Sequence, residues 1–482
     1  MPSVSALSGP KRAIGPALVG IWSAAVGLAP TPQSKLLVLA PIPLGAVAWW
    51  TMLRPERWLA LYFFCSLLLP PLPFPIGNAG IHVAPLVALL GLLAGTLRFA
   101  EWRTEALSQS RRLVSLFAFF FLVLLVSVAF AAIYSGWGVA LESLARVFLF
   151  GIGVYVFIYT LAGPREEGSD SFAFARLLFW IALAGAIFGC VDFYFQLPAP
   201  AGYAAQYVWL AKGAVRRAQG LFYEASTLGN FCAFFLTMIL VAAFPPAGRR
   251  SQCVLSRLVL IPGLLIFTSA LILSASRASI VTVIVASCAF LYMRRVAVKR
   301  VLITIGFSLA AAAAVVSLIL PEFFSHYRTR TFGSLQYLRS APDSVLSGRL
   351  THWSRLADFL LQHPWHVLFG IGYKTLPYTT YLGAPVVADN TFLSLLIETG
   401  ILGLAVFILL NGAILRTAFR AARSSSGRAS FFGLWIFCFW CGELVQMLSG
   451  DLITYWRVLP VYFWVLATAA RESSDRAGAG FH

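Results

Sequence analysis

The residues able to do chemistry in this chain are arginines and carboxylates placed at the ends of long apolar runs. Arg216, Arg217 and Glu224 stand at the head of the eighth run, and Arg277 sits in the string LSASRAS. Arg349, His352 and Arg355 fall within about one turn of each other in SGRLTHWSRLADFL, on helical spacing. Asp389 and Asn390 close the segment ahead of TFLSLLIETGILGLAVF. A guanidinium is a planar fork that matches phosphate oxygens and never loses its charge. A carboxylate within reach of a hydroxyl can orient it and take its proton. Together the set reads as a site for an anionic, phosphate-bearing ligand. The histidines His326, His352, His363 and His366 form no HxxxH or HxH pattern, so neither a metal nor another cofactor is expected.

Each residue also has a plainer reading. A lone Glu224 at the head of a helix suits a structural ion pair. Asp389 and Asn390 suit a helix N-cap. Arg146 and Arg457 are expected to pair with Glu142 and Asp451 one turn away. Cys438 and Cys441 have CxxC spacing, but inside FFGLWIFCFWCGEL they read as small fillers at membrane depth.

The elements that must position these groups are membrane helices. The chain has 482 residues, 60% hydrophobic and only 11% charged, against about 25% charged in soluble domains. Its apolar runs are long enough to cross a bilayer as helices, and a barrel's short alternating segments are absent. The expected fold is all-α, a polytopic bundle of about 12–14 spans. The net charge of +18 fits basic loops meeting anionic lipid heads, and no nucleic-acid partner is expected. The run from Ala13 to Ala29, after Lys11 and Arg12, reads as an uncleaved signal anchor.

Basic loops set the orientation. Arg294, Arg295, Lys299 and Arg300 before the interlude Pro321–Val386, and Arg416, Arg420, Arg423 and Arg428 after it, mark the cytoplasmic side. The interlude then faces outside. It nevertheless carries Arg328, Arg330, Arg339, Arg349, Arg355 and Lys374, against the usual bias. The chain thus divides into helices over 1–320, one large outer loop over 321–386, and C-terminal helices with a cytoplasmic tail over 387–482. Around Leu350, Trp353, Leu356 and Leu360 the loop has amphipathic spacing, which would lay a helix on the membrane surface.

From Arg216 to Leu404 the order of these parts resembles the O-antigen ligase and O-antigen/exopolysaccharide polymerase family of bacterial inner-membrane proteins. The parts are Arg217 to Gly220 opening an outward-facing helix, the S-x-S-R string Ser274 to Arg277, and a loop ending in GR…W…HP…GIG. DN-x-FL…E-x-G-x-x-GL follows. The resemblance implies a metal-independent, inverting glycosyltransferase of the GT-C kind, acting on the periplasmic side. Its donor would be a glycan on undecaprenyl diphosphate, and its acceptor another lipid-linked repeat (polymerase) or lipid A-core (ligase). A flippase and a chain-length regulator of the same pathway would be partners. By the same resemblance Arg217 and Arg277 would hold the diphosphate; from their own types and positions Arg216, Glu224, Arg349, His352, Arg355 and Asn390 are expected around the substrate. Ligases carry His-Asn where this chain has Asp389-Asn390. That departure favours polymerisation and leaves Asp389 as the catalytic carboxylate. A lipid-linked oligosaccharide flippase is the competing reading from another class, and it would need a cationic cavity reachable from both sides.

Overall fold

The computed structural model describes residues 41–53, 56–72, 75–76, 79–80, 82–164, 170–200, 203, 206–210, 213–245, 254–294, 298–331, 333–337 and 339–479. The expected signal anchor, from Ala13 to Ala29, and Arg295 of the expected basic loop lie outside them. The described chain is a helical bundle, as its composition requires, because helices satisfy backbone polar groups within one segment. It begins with α1 (Pro41–Leu53), α2 (Arg57–Leu68), a two-residue hairpin β1 (Pro75–Ile76) and β2 (Ala79–Gly80), then α3 (Val83–Leu97) and the short α4 (Thr104–Gln109). Long helices α5 (Arg111–Ser135), α6 (Trp137–Ala162) and α7 (Ser171–Phe195) follow. A second antiparallel hairpin, β3 (Tyr207–Leu210) with β4 (Gly213–Arg216), leads into α8 (Ala225–Ala243), α9 (Arg257–Leu273), α10 (Arg277–Arg294) and α11 (Val298–Ile319).

The interlude holds α12 (Pro321–Thr331), α13 (Pro342–Val345), α14 (Arg349–Gln362) and α15 (His366–Phe369). The bundle closes with α16 (Thr391–Ala422), α17 (Gly427–Gln446) and α18 (Leu459–Ala479). Among the described residues seven helices are long and apolar enough to cross a membrane: α5, α6, α7, α8, α10, α16 and α17. Shorter apolar helices are α2, α3 and α9, with the Ala310–Ile319 part of α11.

Central to the bundle is α8, apolar on all sides and buried along nearly its whole length. Both α9 and α10 pack on it. Their junction presses close, because a Cβ on Gly229 would stand 2.8 Å from Ser274 Oγ and 2.8 Å from Ser276 Cβ. The SAS string is therefore a tight turn seated on a glycine notch of α8.

Two groups of charges lie at opposite ends. Asp170, at the head of α7, pairs with Arg176 (3.5 Å) and with Arg428 (3.2 Å) at the head of α17. Arg294, ending α10, donates to Ser430 Oγ at 3.5 Å. The interlude sits at the other end.

Two expectations are corrected there. The first of the C-terminal helices expected after the interlude is broken: Gly400 has φ 70° and ψ −173° within α16. A Cβ there would meet the Leu368 carbonyl oxygen at 2.2 Å, so the backbone at the end of α15 occupies the break. The chain Gly370–Gly372 caps the half-helix below it, with Ile371 N donating to Ile397 O (3.0 Å) and Gly372 N to Glu398 O (2.9 Å). In addition, α14 does not spend its apolar face on the membrane. Leu356 and Phe359 bury it in a small core with Ile371, Leu376, Val386, Ala388 and Ile397.

Candidate functional site

The segment leading into α8 builds one wall. Arg216 ends β4, opposite Tyr207, and turns inward: its guanidinium lies 2.5 Å from Asp192 Oδ1 on α7, both side chains being buried. Arg217, next along an extended chain, points the other way. Its Nε donates to Ser274 O at 2.8 Å, while Ala218 N donates to Leu273 O at 3.1 Å. Arg217 therefore grips the turn that ends α9, and Arg277 opens α10 three residues further on. The two arginines are 60 positions apart in sequence yet converge on one turn.

The interlude supplies the facing wall. Arg277 donates to Val345 O (2.8 Å) and Ser347 Oγ (3.3 Å), fastening the chain just ahead of α14. The N-terminus of α14 is closed by Asp343, whose carboxylate accepts from Leu350 N (2.8 Å) and the Thr351 hydroxyl (2.5 Å). These hydrogen bonds hold Asp343 below the usual carboxylate range, the Thr351 hydroxyl most of all. From this anchored turn Arg349 Nε reaches Asp389 Oδ2 at 3.4 Å. Trp353 Nε1 donates to Ala388 O at 2.7 Å, and Arg355 donates to Leu382 O at 3.1 Å. His352, exposed on the same helix, is near enough to Asp389 to favour its ionised form.

Capping of α16 falls to Asn390, whose Oδ1 accepts from Leu393 N at 3.0 Å. Asp389 does not cap. It has φ +45°, a conformation few non-glycine residues adopt, and its half-exposed carboxylate points at Arg349. Partial burial raises its pKa above the usual carboxylate value, with Arg349 opposing. Glu224, immediately before α8, is raised by burial too, with Ser226 and Arg217 opposing and Asp389 adding. Asp451 acts on both carboxylates.

Asp451 belongs to a pair the sequence reading missed. It was expected to pair with Arg457; it binds Lys374 Nζ instead. Lys374 is buried and has φ +57°. Arg457 is buried among carbonyl groups, donating to Ser66 O (2.5 Å), Leu69 O (2.8 Å) and Leu221 O, and to Tyr203 Oη (3.1 Å). One-turn spacing favoured the wrong partner because it ignores a loop arriving from 77 residues away. Arg146 does meet Glu142, at 3.7 Å, and also donates to Lys374 O (3.0 Å) and Tyr378 Oη (2.5 Å). The buried Glu398 accepts from Leu376 N at 3.3 Å through Oε1. The only early signal for Lys374 was its being the sole lysine in an arginine-rich loop.

The loop histidines disperse. His366 is buried between Gly370 O and Tyr381 Oη, and His363 stacks on Phe359. Of the expected site residues, the structure brings Arg217, Arg277, Glu224, Arg349, His352 and Asp389 to one end of the bundle. Arg216, Arg355 and Asn390 serve as anchors around them.

Fold and site together define a polytopic helical membrane protein with arginines and carboxylates gathered at one end. Residues 262–408 match the family model described as O-Antigen ligase, which supports the chain's likeness to the O-antigen ligase family. At family level the match supports surface-polysaccharide biosynthesis and implies glycosyl transfer with lipid-linked glycan substrates. No curated protein matches the chain. The matched segment holds Arg277, Arg349 and Asp389 but stops short of Arg217 and Glu224, which only the fold joins to it.

Proposed function

We propose that the protein polymerises glycan repeat units carried on undecaprenyl diphosphate, at the outer face of the bacterial inner membrane. The observation carrying this reading is that Arg217 grips the α9–α10 turn from which Arg277 opens α10, with Glu224 near both Arg217 and Asp389. A glycosyl diphosphate already carries a good leaving group. Catalysis then needs fixed positive charge where the leaving oxygen develops its own, and a base for the acceptor hydroxyl. Arg217 and Arg277 fill the first role. Asp389 fills the second: the acceptor oxygen bonds to the anomeric carbon as the bond from that carbon to the diphosphate oxygen breaks, and the hydroxyl proton passes to the Asp389 carboxylate. Attack opposite the leaving group inverts the anomeric centre. No step requires a metal.

Asp389 also favours polymerase over ligase, since ligases of this resemblance carry histidine there. The direct test is a deletion strain. Accumulated single lipid-linked repeats support polymerisation; long lipid-linked chains would make the protein a ligase. Repeats trapped facing the cytoplasm would make it a flippase.

A further inference from the structure

The polar face of α6 is exposed where a membrane helix should be apolar. Glu142 and Arg146 lie five and nine residues into α6 from Trp137, roughly 7 and 13 Å below its start at the loop end. Their side chains are 46% and 28% exposed. Ionisable groups at such depth face a protein interior or a water-filled recess, because lipid cannot solvate them. Their neighbours show which surroundings these are. The Arg146 guanidinium lies 4.4 Å from the centre of the Tyr378 ring and is held by Lys374 O. Tyr223, next to Glu224, acts electrostatically with Tyr378 and Arg146. Its ring lies 5.7 Å from that of Tyr203, and Arg457 pins the Tyr203 hydroxyl. Tyr223 and Tyr378 remain 46% and 38% exposed. The result is a braced shelf of two accessible phenol rings and a carboxylate. It continues directly into Glu224.

We infer that this shelf is the subsite for the acceptor glycan, taking a neutral pyranose ring against Tyr223 and Tyr378 with Glu142 accepting from its hydroxyls. Sugar rings present apolar C–H faces and a rim of hydroxyl donors, which this surface matches. The donor diphosphate has its cations across Glu224, on the α9–α10 turn, so the shelf lies on the side left for the attacking sugar. Glu142 offsets the charge of Arg146, so the shelf carries no net cation to draw an acidic sugar, which suits a neutral one. This inference rests on the glycosyltransferase reading above.

The test uses full-length purified protein, a fixed lipid-diphosphate oligosaccharide donor, and a short fluorophore-labelled oligosaccharide as acceptor. Tyr223→Ala should raise the acceptor KM about five- to tenfold, the scale of one lost ring contact, with the donor KM moved less than about twofold. Tyr223→Phe, which keeps the ring, should restore most of it. Glu142→Gln should narrow the preference for a neutral over a uronic-acid-terminated acceptor. Transfer by the wild type with an unchanged acceptor KM in Tyr223→Ala, or a rise confined to the donor KM, would overturn the shelf alone. Wild-type protein that transfers no sugar from this donor to any acceptor would overturn the glycosyltransferase reading, and the shelf with it.

Discussion

Arg349 and Asp389 lie 3.4 Å apart, Nε to Oδ2, and this contact ties the loop helix α14 to the mouth of the broken helix α16. The neighbouring Asn390, not Asp389, caps that helix. Of these adjacent residues, one caps the helix and the other presents a half-exposed carboxylate to Arg349.

That separation predicts opposite outcomes at the two positions. Asn390→Ala should cost about 0.5–2 kcal/mol of stability while leaving some transfer. Asp389→Ala and Asp389→Asn should unfold at the wild-type temperature yet transfer almost nothing, and Asp389→His should keep partial activity. Thermal unfolding in detergent and glycan formation with EDTA present are the two measurements. Full activity in Asp389→Asn would remove the base role.

The pH profile follows from the raised pKa of Asp389. A base works only when ionised, so activity should fall as pH drops through that value, above where an ordinary carboxylate would act. Arg349 favours the ionised form. Arg349→Ala should therefore push the acid limb of kcat/KM further up, and a limb that stays in place would show that the pair does not tune the base.

Removing either member of the arginine pair should cost about 10²–10³-fold in turnover, the scale of one lost oxyanion donor. Arg217→Lys and Arg277→Lys should recover little, since a point charge does not replace a bidentate fork. Membrane abundance must be matched when glycan is quantified. Near-normal polymer from the double alanine variant would reduce both arginines to fasteners of the α9–α10 turn and α14.

The break in α16 should be structurally intolerant. Gly400→Ala forces a side chain onto φ +70° with its Cβ 2.2 Å from Leu368 O. A loss of at least about 1–3 kcal/mol is expected, read as a lower unfolding temperature, while Gly412→Ala on the same helix, where nothing lies within 4 Å, should be silent.

Orientation is checked by reporter fusions at two exposed sites. Ala341 in the interlude should report the outer compartment and Ser425, between α16 and α17, the cytoplasm. A cytoplasmic signal from Ala341 would put the site on the wrong face for the proposed donor.

Much of this was legible in sequence for a simple reason: in a membrane the backbone must satisfy itself, so apolar runs become helices and charges outside the pattern mark function. That Arg217, Arg277, Glu224 and Asp389 gather at one end of the bundle could be read from their positions at helix ends. What only the tertiary structure decided was direction and partnership. Arg216 and Arg217 look alike in sequence, but successive residues of an extended chain face opposite sides, and only the hairpin's placement against α7 sends Arg216 to Asp192. Hydropathy averages across Gly400 and sees one span; the break exists because the Leu368 backbone, 32 positions earlier, fills the gap. Lys374 takes Asp451 from its expected partner because burying either charge alone would be costly, and the loop delivers the cation where local spacing had offered Arg457.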